Sequence, residues 1–211
     1  MRKSRGSRAY HGLNTALNEA AILGVDFSIA DKICCVTFYP IALWEDGSIP
    51  DDNRVLFVFH NINRIAASLT KEPDTAAIPF EPEKLPDIFS EFKHESLYGW
   101  NFIDNGKKIY KDWENNKSFD LIISESYKGQ HTIDLFQEDR YSNKNIDLRI
   151  WFDEIKIFDS KNNPISLEVF IANGIRGWKK LYKDRWSTLA ADEELGQKLT
   201  YVRPHTGHGG M

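Results

Sequence analysis

At 211 residues, 41% of them hydrophobic, with thirteen Phe, eight Tyr and six Trp, the chain has enough apolar side chain for a real core in one large domain or two small ones. Its formal net charge of −4 excludes the overall basic character of a dedicated nucleic-acid binder. The longest mostly apolar passage, Cys34 to Trp44, falls far short of the roughly 20 residues a spanning helix needs, and the basic opening Met1-Arg2-Lys3-Ser4-Arg5 leads into no apolar stretch of signal-peptide character. A cytoplasmic protein that neither enters nor crosses a membrane is therefore expected.

In chain order, residues 1–11 are basic and polar. Leu13, Leu17 and Ala21 then recur every fourth residue, with Asn14 as a cap, which predicts a short N-terminal helix. Val25, Phe27 and Ile29 alternate with Asp26 and Ser28, the period-two pattern of a strand with one wet face. Lys32 to Tyr39 and Arg54 to His60 are apolar on both faces and read as central strands. The adjacent Cys34 and Cys35 would point to opposite faces of the first of these, so they read as reduced core residues. Between the two strands, residues 45–52 form a loop by their Gly, Pro and carboxylate content.

Pro73, Pro79, Pro82 and Pro86 make the stretch from Lys71 to Pro86 a linker, and Ile88, Phe89 and Phe92 predict one or two helical turns after it, the two together spanning 71–95. Asn105-Gly106 between the β-like runs 98–104 and 107–113 predicts a hairpin. Phe119 to Ser124 and Thr132 to Phe136 read as the next pair, joined through Lys128-Gly129-Gln130. Ile146, Leu148, Ile150 and Phe152 then alternate with Asp147, Arg149 and Trp151, which predicts one buried face and one available face. Ile165 to Ile171 reads as the last strand, broken at Asn173-Gly174. Ile175, Trp178, Tyr182, Trp186 and Leu189, spaced by three or four, predict a C-terminal amphipathic helix over 175–196 and a flexible tail over 197–211.

Two passages echo each other in the same order. Ile22-Leu23-Gly24-Val25-Asp26-Phe27 is matched by Leu97-Tyr98-Gly99-Trp100-Asn101-Phe102, and Val58-Phe59-His60-Asn61-Ile62 by Trp151-Phe152-Asp153-Glu154-Ile155. The offsets are 75 and 93 residues, so the second copy holds 18 more residues between its landmarks, room for about one extra strand and turn. The expected fold is α+β and predominantly antiparallel β: one body with two related β units from an internal duplication, 12–70 and 96–172, a short N-terminal helix and a C-terminal amphipathic helix.

The common enzymatic signatures are missing: no Gly-rich loop ending in Gly-Lys-Ser/Thr, no Gly-x-Gly-x-x-Gly, no Gly-x-Ser-x-Gly, no Cys-x-x-Cys and no His-Glu-x-x-His. Of six histidines only His205 and His208 are close, and a Gly-rich terminus supplies no ordered shell for a metal. His60, ending a buried strand, reads as a hydrogen-bonded structural residue. No cofactor or metal is expected.

Three constellations remain. Asp147 with Glu154-Ile155-Lys156 resembles the core of metal-dependent nucleases, in which two carboxylates hold Mg²⁺ and a lysine supports the attacking water; a salt-bridged solvent face explains the same residues. The run from Arg176 to Trp186 sets five basic residues and three aromatics against one acid, and its helical spacing turns Trp178, Tyr182 and Trp186 toward the sheet and the lysines toward water, which argues against nucleic-acid contact. The acidic loop with Asp46, Asp51 and Asp52 is what a protein presents to a basic partner.

A short helix, a strand, a strongly apolar strand and then Phe-x-x-Ile, as in Phe59-His60-Asn61-Ile62 and Phe152-Asp153-Glu154-Ile155, followed by another strand, resembles small β-rich bacterial immunity proteins of polymorphic toxin systems, and Leu97-Tyr98-Gly99-Trp100 is similar to segments of that group. The resemblance covers residues 15–170. It implies a protein that is not an enzyme and that binds and blocks a cognate toxin, and it carries over no functional residue. Trp44 with Asp46, Asp51 and Asp52 is the first candidate for the partner-binding patch, and Lys179, Lys180 and Lys183 the second. The alternatives are a metal-dependent nuclease or phosphodiesterase using Asp147, Glu154 and Lys156, and a subunit of a larger assembly.

Overall fold

The computed structural model describes residues 12–13, 15–72, 75–92, 97–102, 115–124, 130–139 and 143–184, with 97–102 described through the backbone. Among these, the strands are β1 (Ala21–Ser28), β2 (Ile33–Tyr39), β3 (Val55–His60), β4 (Arg64–Thr70), β5 (Leu97–Phe102), β6 (Phe119–Ile122), β7 (His131–Glu138), β8 (Asn145–Phe152), β9 (Glu154–Asp159) and β10 (Pro164–Ile165). They form two five-stranded antiparallel sheets, a first in the order β1-β2-β3-β9-β10 and a second in the order β5-β7-β8-β4-β6. Helical residues at 12–13 and 15–16 precede β1, a 3-10 turn (Pro82–Lys84) leads into α1 (Leu85–Glu91), and α2 (Leu167–Asp184) closes the described chain.

Alternation decides which side chains face inward. In β2 and β3, Cys34, Val36 and Phe38 stand in register against Phe59, Phe57 and Val55, and all six are buried. In the second sheet Ile133 and Leu135 of β7, Ile146, Leu148 and Ile150 of β8, and Ile65 and Ala67 of β4 do the same. The two inner faces share one continuous core, across which Phe59 meets Phe152 edge to face with ring centroids 4.9 Å apart.

The sheets are joined by a bent ribbon. β3 runs into β4 through Asn61-Ile62-Asn63, and β8 runs into β9 through Asp153; β3 pairs with β9 in the first sheet and β4 with β8 in the second. The ladder persists around the corner, with the Asp153 N–H donating to the His60 carbonyl and the Asn63 N–H to the Trp151 carbonyl, both at 3.1 Å. Three residues, 61–63, stand opposite two, 152–153, so one strand carries an extra residue, the device that bends a ribbon from one sheet to another. Asn61 adopts φ 53°, a left-handed conformation that asparagine tolerates. Ile62, fully buried, plugs the corner, and its N–H donates to the Lys32 carbonyl at 3.0 Å.

Both sheets are built in the same way. β1-β2-β3 is a three-strand meander whose third strand turns the corner to become β4; β5-β7-β8 is a second meander whose third strand turns the same corner to become β9. The first strand of each meander shifts register at the same place, between Ile22 and Gly24 in β1 and between Leu97 and Gly99 in β5. β6 falls between β5 and β7 in the chain and attaches beside β4, at the edge of the second sheet.

Several expectations need correction. Phe119–Ser124 and Thr132–Phe136 are not a pair: β6 binds β4, where Phe119 and Leu121 match Ala67 and Ile65, and β7 lies between β5 and β8. The stretch 71–86 is no free linker, because the Ile78 N–H donates to the Leu69 carbonyl at 2.7 Å, Asn116 bonds both the Ala77 N–H and the Thr75 carbonyl, and Phe80 packs edge to face on Phe119. The hairpin at Asn105-Gly106, the turn at Lys128-Gly129, the cap at Asn14 and the tail over 197–211 lie outside the described residues.

The C-terminal helix starts at Leu167, not at 175, and runs through Asn173-Gly174, so residues 167–171 are not strand. The three- and four-residue spacing already holds over Phe170, Asn173, Gly174, Gly177 and Trp178, all buried. The glycines are packing residues here. A Cβ on Gly174 would lie 2.6 Å from Ala16, and one on Gly177 2.8 Å from the Ile41 carbonyl oxygen, so their absence lets α2 lie flat on the chain beneath it. Tyr182, expected on the buried stripe, is 58% exposed; Trp186 and Leu189 lie beyond the described residues. No described helix is long and apolar enough to cross a membrane.

Candidate binding surface

The connection between β2 and β3 is clamped to α2. The Leu43 N–H donates to the Asn173 carbonyl at 3.1 Å, and Arg176 Nε donates to the Trp44 carbonyl at 3.0 Å and to the Leu43 carbonyl at 3.3 Å, while Arg176 also bonds the Asn173 side chain. Beyond that clamp the loop doubles back, with the Trp44 N–H donating to the Ser48 carbonyl and the Gly47 N–H to the Trp44 carbonyl; Gly47, at φ 83°, takes the position that favours glycine. Trp44, at the foot of the loop beside the clamp, is left 40% exposed. Asp46 accepts from the side chain and the backbone N–H of Ser48, and those bonds hold its carboxyl below the usual carboxylate range.

The two sequence-derived patches are thereby neighbours. Glu45, Asp46 and Asp51 are exposed on the loop, and Lys179, Lys180 and Lys183 are exposed on α2. Asp52 differs from the others: it is ion-paired with Arg54 through two oxygens, with Nε at 2.8–2.9 Å, and helps to shape the return limb of the loop. Arg176 likewise serves the clamp, so the free basic face is smaller than the run from Arg176 to Trp186 suggested.

Asp147, Glu154 and Lys156 are not brought together. Asp147 lies in β8 of the second sheet, opposite Ser68 and Phe136, whereas Glu154 and Lys156 lie in β9 of the first, opposite His60 and Val58. Asp147 lies five strand steps before Phe152 at the corner, about 16 Å, whereas two carboxylates sharing one ion approach within about 5 Å. Glu154 and Lys156 are exposed and 3.9 Å apart, the pair of a solvent face. No group of three His, Cys, Asp or Glu among the described residues could hold a metal ion.

What the sequence did not reveal is a charged layer on the outer face of the second sheet. Arg149 of β8 makes a two-pronged pair with its register partner Asp134 of β7, at 2.5 and 2.7 Å, and both side chains are nearly buried. Arg64 of β4 makes a similar pair with Asp120 of β6, at 2.7 and 2.6 Å, and Lys117 joins it at 2.7 Å. The Arg64 bonds foremost hold the Asp120 carboxyl down at about 2. Trp151 lies between the arginines, 4.5 Å from Arg64 and 5.7 Å from Arg149. The outer face of β8, expected to be available, is thus largely covered. Burial, reinforced by the nearby Asp134 charge and only partly opposed by Arg149, pushes the Asp147 carboxyl up to about 7.

His60 ends β3 as a half-buried residue, and its buried Nε2 has no hydrogen-bond partner. Cys34 and Cys35 are free thiols, the first buried and the second half-buried, with burial raising both thiols. No protein-family model, no curated protein and no solved structure matches this chain.

Proposed function

We propose that this is a non-enzymatic, cytoplasmic protein-binding module that neutralises a bacterial toxin by covering its working surface, with the loop and α2 as the contact face. The observation that carries the reading is the clamp at Arg176, which fuses a half-exposed Trp44, exposed carboxylates and exposed lysines into one surface on a preorganised base. A rigid aromatic anchor ringed by charge is the usual composition of a binding hot spot. The separation of Asp147 from Glu154 and Lys156 supports binding over turnover. Calorimetry of the chain against the purified product of the adjacent reading frame tests this: saturable binding weakened at least about tenfold by Trp44→Ala supports it, and no heat with that product but carboxylate-dependent heat with Mg²⁺ or Mn²⁺ overturns it.

The same reading takes the chain as two copies of one unit, each a short helix, a three-strand meander and a fourth strand given to the other copy's sheet. The matching register shifts at Gly24 and Gly99, and the arrival of both Phe-x-x-Ile segments at one corner, support it. Fragments cut within residues 71–76 and co-expressed should assemble into one folded complex. Recovery of either half as a folded monomer would argue against the exchange.

A further inference from the structure

We infer that, when no toxin occupies it, this surface pairs with a second copy of the chain, through an isologous contact in which the acidic loop of each copy lies on the lysine face of the other. The inference rests on the protein-binding reading in that it uses the same surface. Its grounds are the arrangement of charge. Glu45, Asp46 and Asp51 stand exposed on the loop with no ion pair inside the described chain, and Lys179, Lys180 and Lys183 stand exposed on α2 in the same condition. The clamp at Asn173 and Arg176 sets the two groups side by side. The lysines follow Arg176 by about 5 to 11 Å along the helix axis and stand within about 60° of it on the exposed side.

A partner of one sign would be attracted by half of this surface and repelled by the other half. A two-fold contact requires a surface that carries its own complement, each patch meeting the other across the axis. Three carboxylates beside three ammonium groups meet that requirement twice per dimer. Trp44 lies at the foot of the loop, beside the clamp, where it would be shared between the copies, and Val169, 47% exposed at the start of the same helix, extends the apolar part of the contact.

Sedimentation of the purified full-length chain over a range of concentrations and salt tests the inference. The wild type should show a concentration-dependent dimer that weakens at least about tenfold between low and high salt. The triple variant Lys179→Glu, Lys180→Glu, Lys183→Glu and the triple variant Glu45→Lys, Asp46→Lys, Asp51→Lys should each be monomeric, and an equimolar mixture of the two should form a heterodimer. That rescue also shows that both variants fold. A wild type that remains monomeric at about 0.5 mM in low salt, a dimer unchanged by either reversal, or a mixture that fails to associate would overturn it. Sedimentation of the chain alone leaves the toxin-binding reading untouched, and calorimetry with the adjacent product tests that reading without reference to self-association.

Discussion

Phe59 and Phe152 touch across the corner of the bent ribbon, with ring centroids 4.9 Å apart and planes at 64°, and they are the second residues of the two echoed segments. Each is buried to 1% exposure or less, so the contact joins the two sheets at the point where both chain runs cross from one to the other. Truncating either ring to alanine should cost about 3–5 kcal/mol in urea-unfolding free energy, and the double variant should cost less than the sum of the two. Strict additivity would mean that the rings are packed independently.

Asp147 predicts an unusual pH dependence. Its carboxyl is raised from 3.8 to about 7 in the folded chain, so below pH 4 it is protonated in both states and contributes nothing. As the pH rises from about 4 to about 7, the unfolded chain releases this proton while the folded chain keeps it, and stability falls. Above pH 7 the penalty is complete, on the order of 4 kcal/mol. Asp147→Asn should therefore raise the unfolding free energy at pH 8, by at most about that amount, and change it little at pH 4. Equal effects at both pH values would show that the carboxyl titrates normally.

Gly177 tests the packing of α2. Alanine is better than glycine in an isolated helix by about 1 kcal/mol, yet the added Cβ would stand 2.8 Å from the Ile41 carbonyl oxygen, a backbone atom that cannot rotate away. Gly177→Ala should lower the thermal midpoint, with a loss of about 1–3 kcal/mol, and loosen the clamp that holds Trp44. A stabilised Gly177→Ala would mean that the loop does not lie on the helix there.

Strand periodicity was legible in β8, where Ile146, Leu148, Ile150 and Phe152 are buried as their alternation implies, and β2 and β3 are interior strands of their sheet; in β1 the alternation of Val25, Phe27 and Ile29 fully buries only Val25, and Ile29 lies past the strand and is exposed. Partner choice was not legible, because β6 crosses to β4, 56 residues away for Arg64 and Asp120, and nothing local encodes that pairing. The start of α2 was missed because Asn-Gly is a frequent break, whereas here Gly174 is demanded by close contact with Ala16. Of the candidate site, the exposed loop acids and helix lysines could be named from composition and spacing, but their adjacency depends on Arg176 reaching a loop 132 residues earlier. The buried Asp134–Arg149 pair left no local trace, because β7 and β8 carry other polar and charged residues and the pairing of the two strands is not encoded nearby.

The central claim, that the chain acts through the surface at Trp44 and α2 and not through turnover, is tested most directly by growth of cells expressing the adjacent toxin candidate together with this chain. Wild type and Asp147→Asn should both restore growth, while Trp44→Ala combined with Lys180→Glu, folded by circular dichroism, should not. Rescue by the surface variant, or loss of rescue with Asp147→Asn alone, would contradict the account.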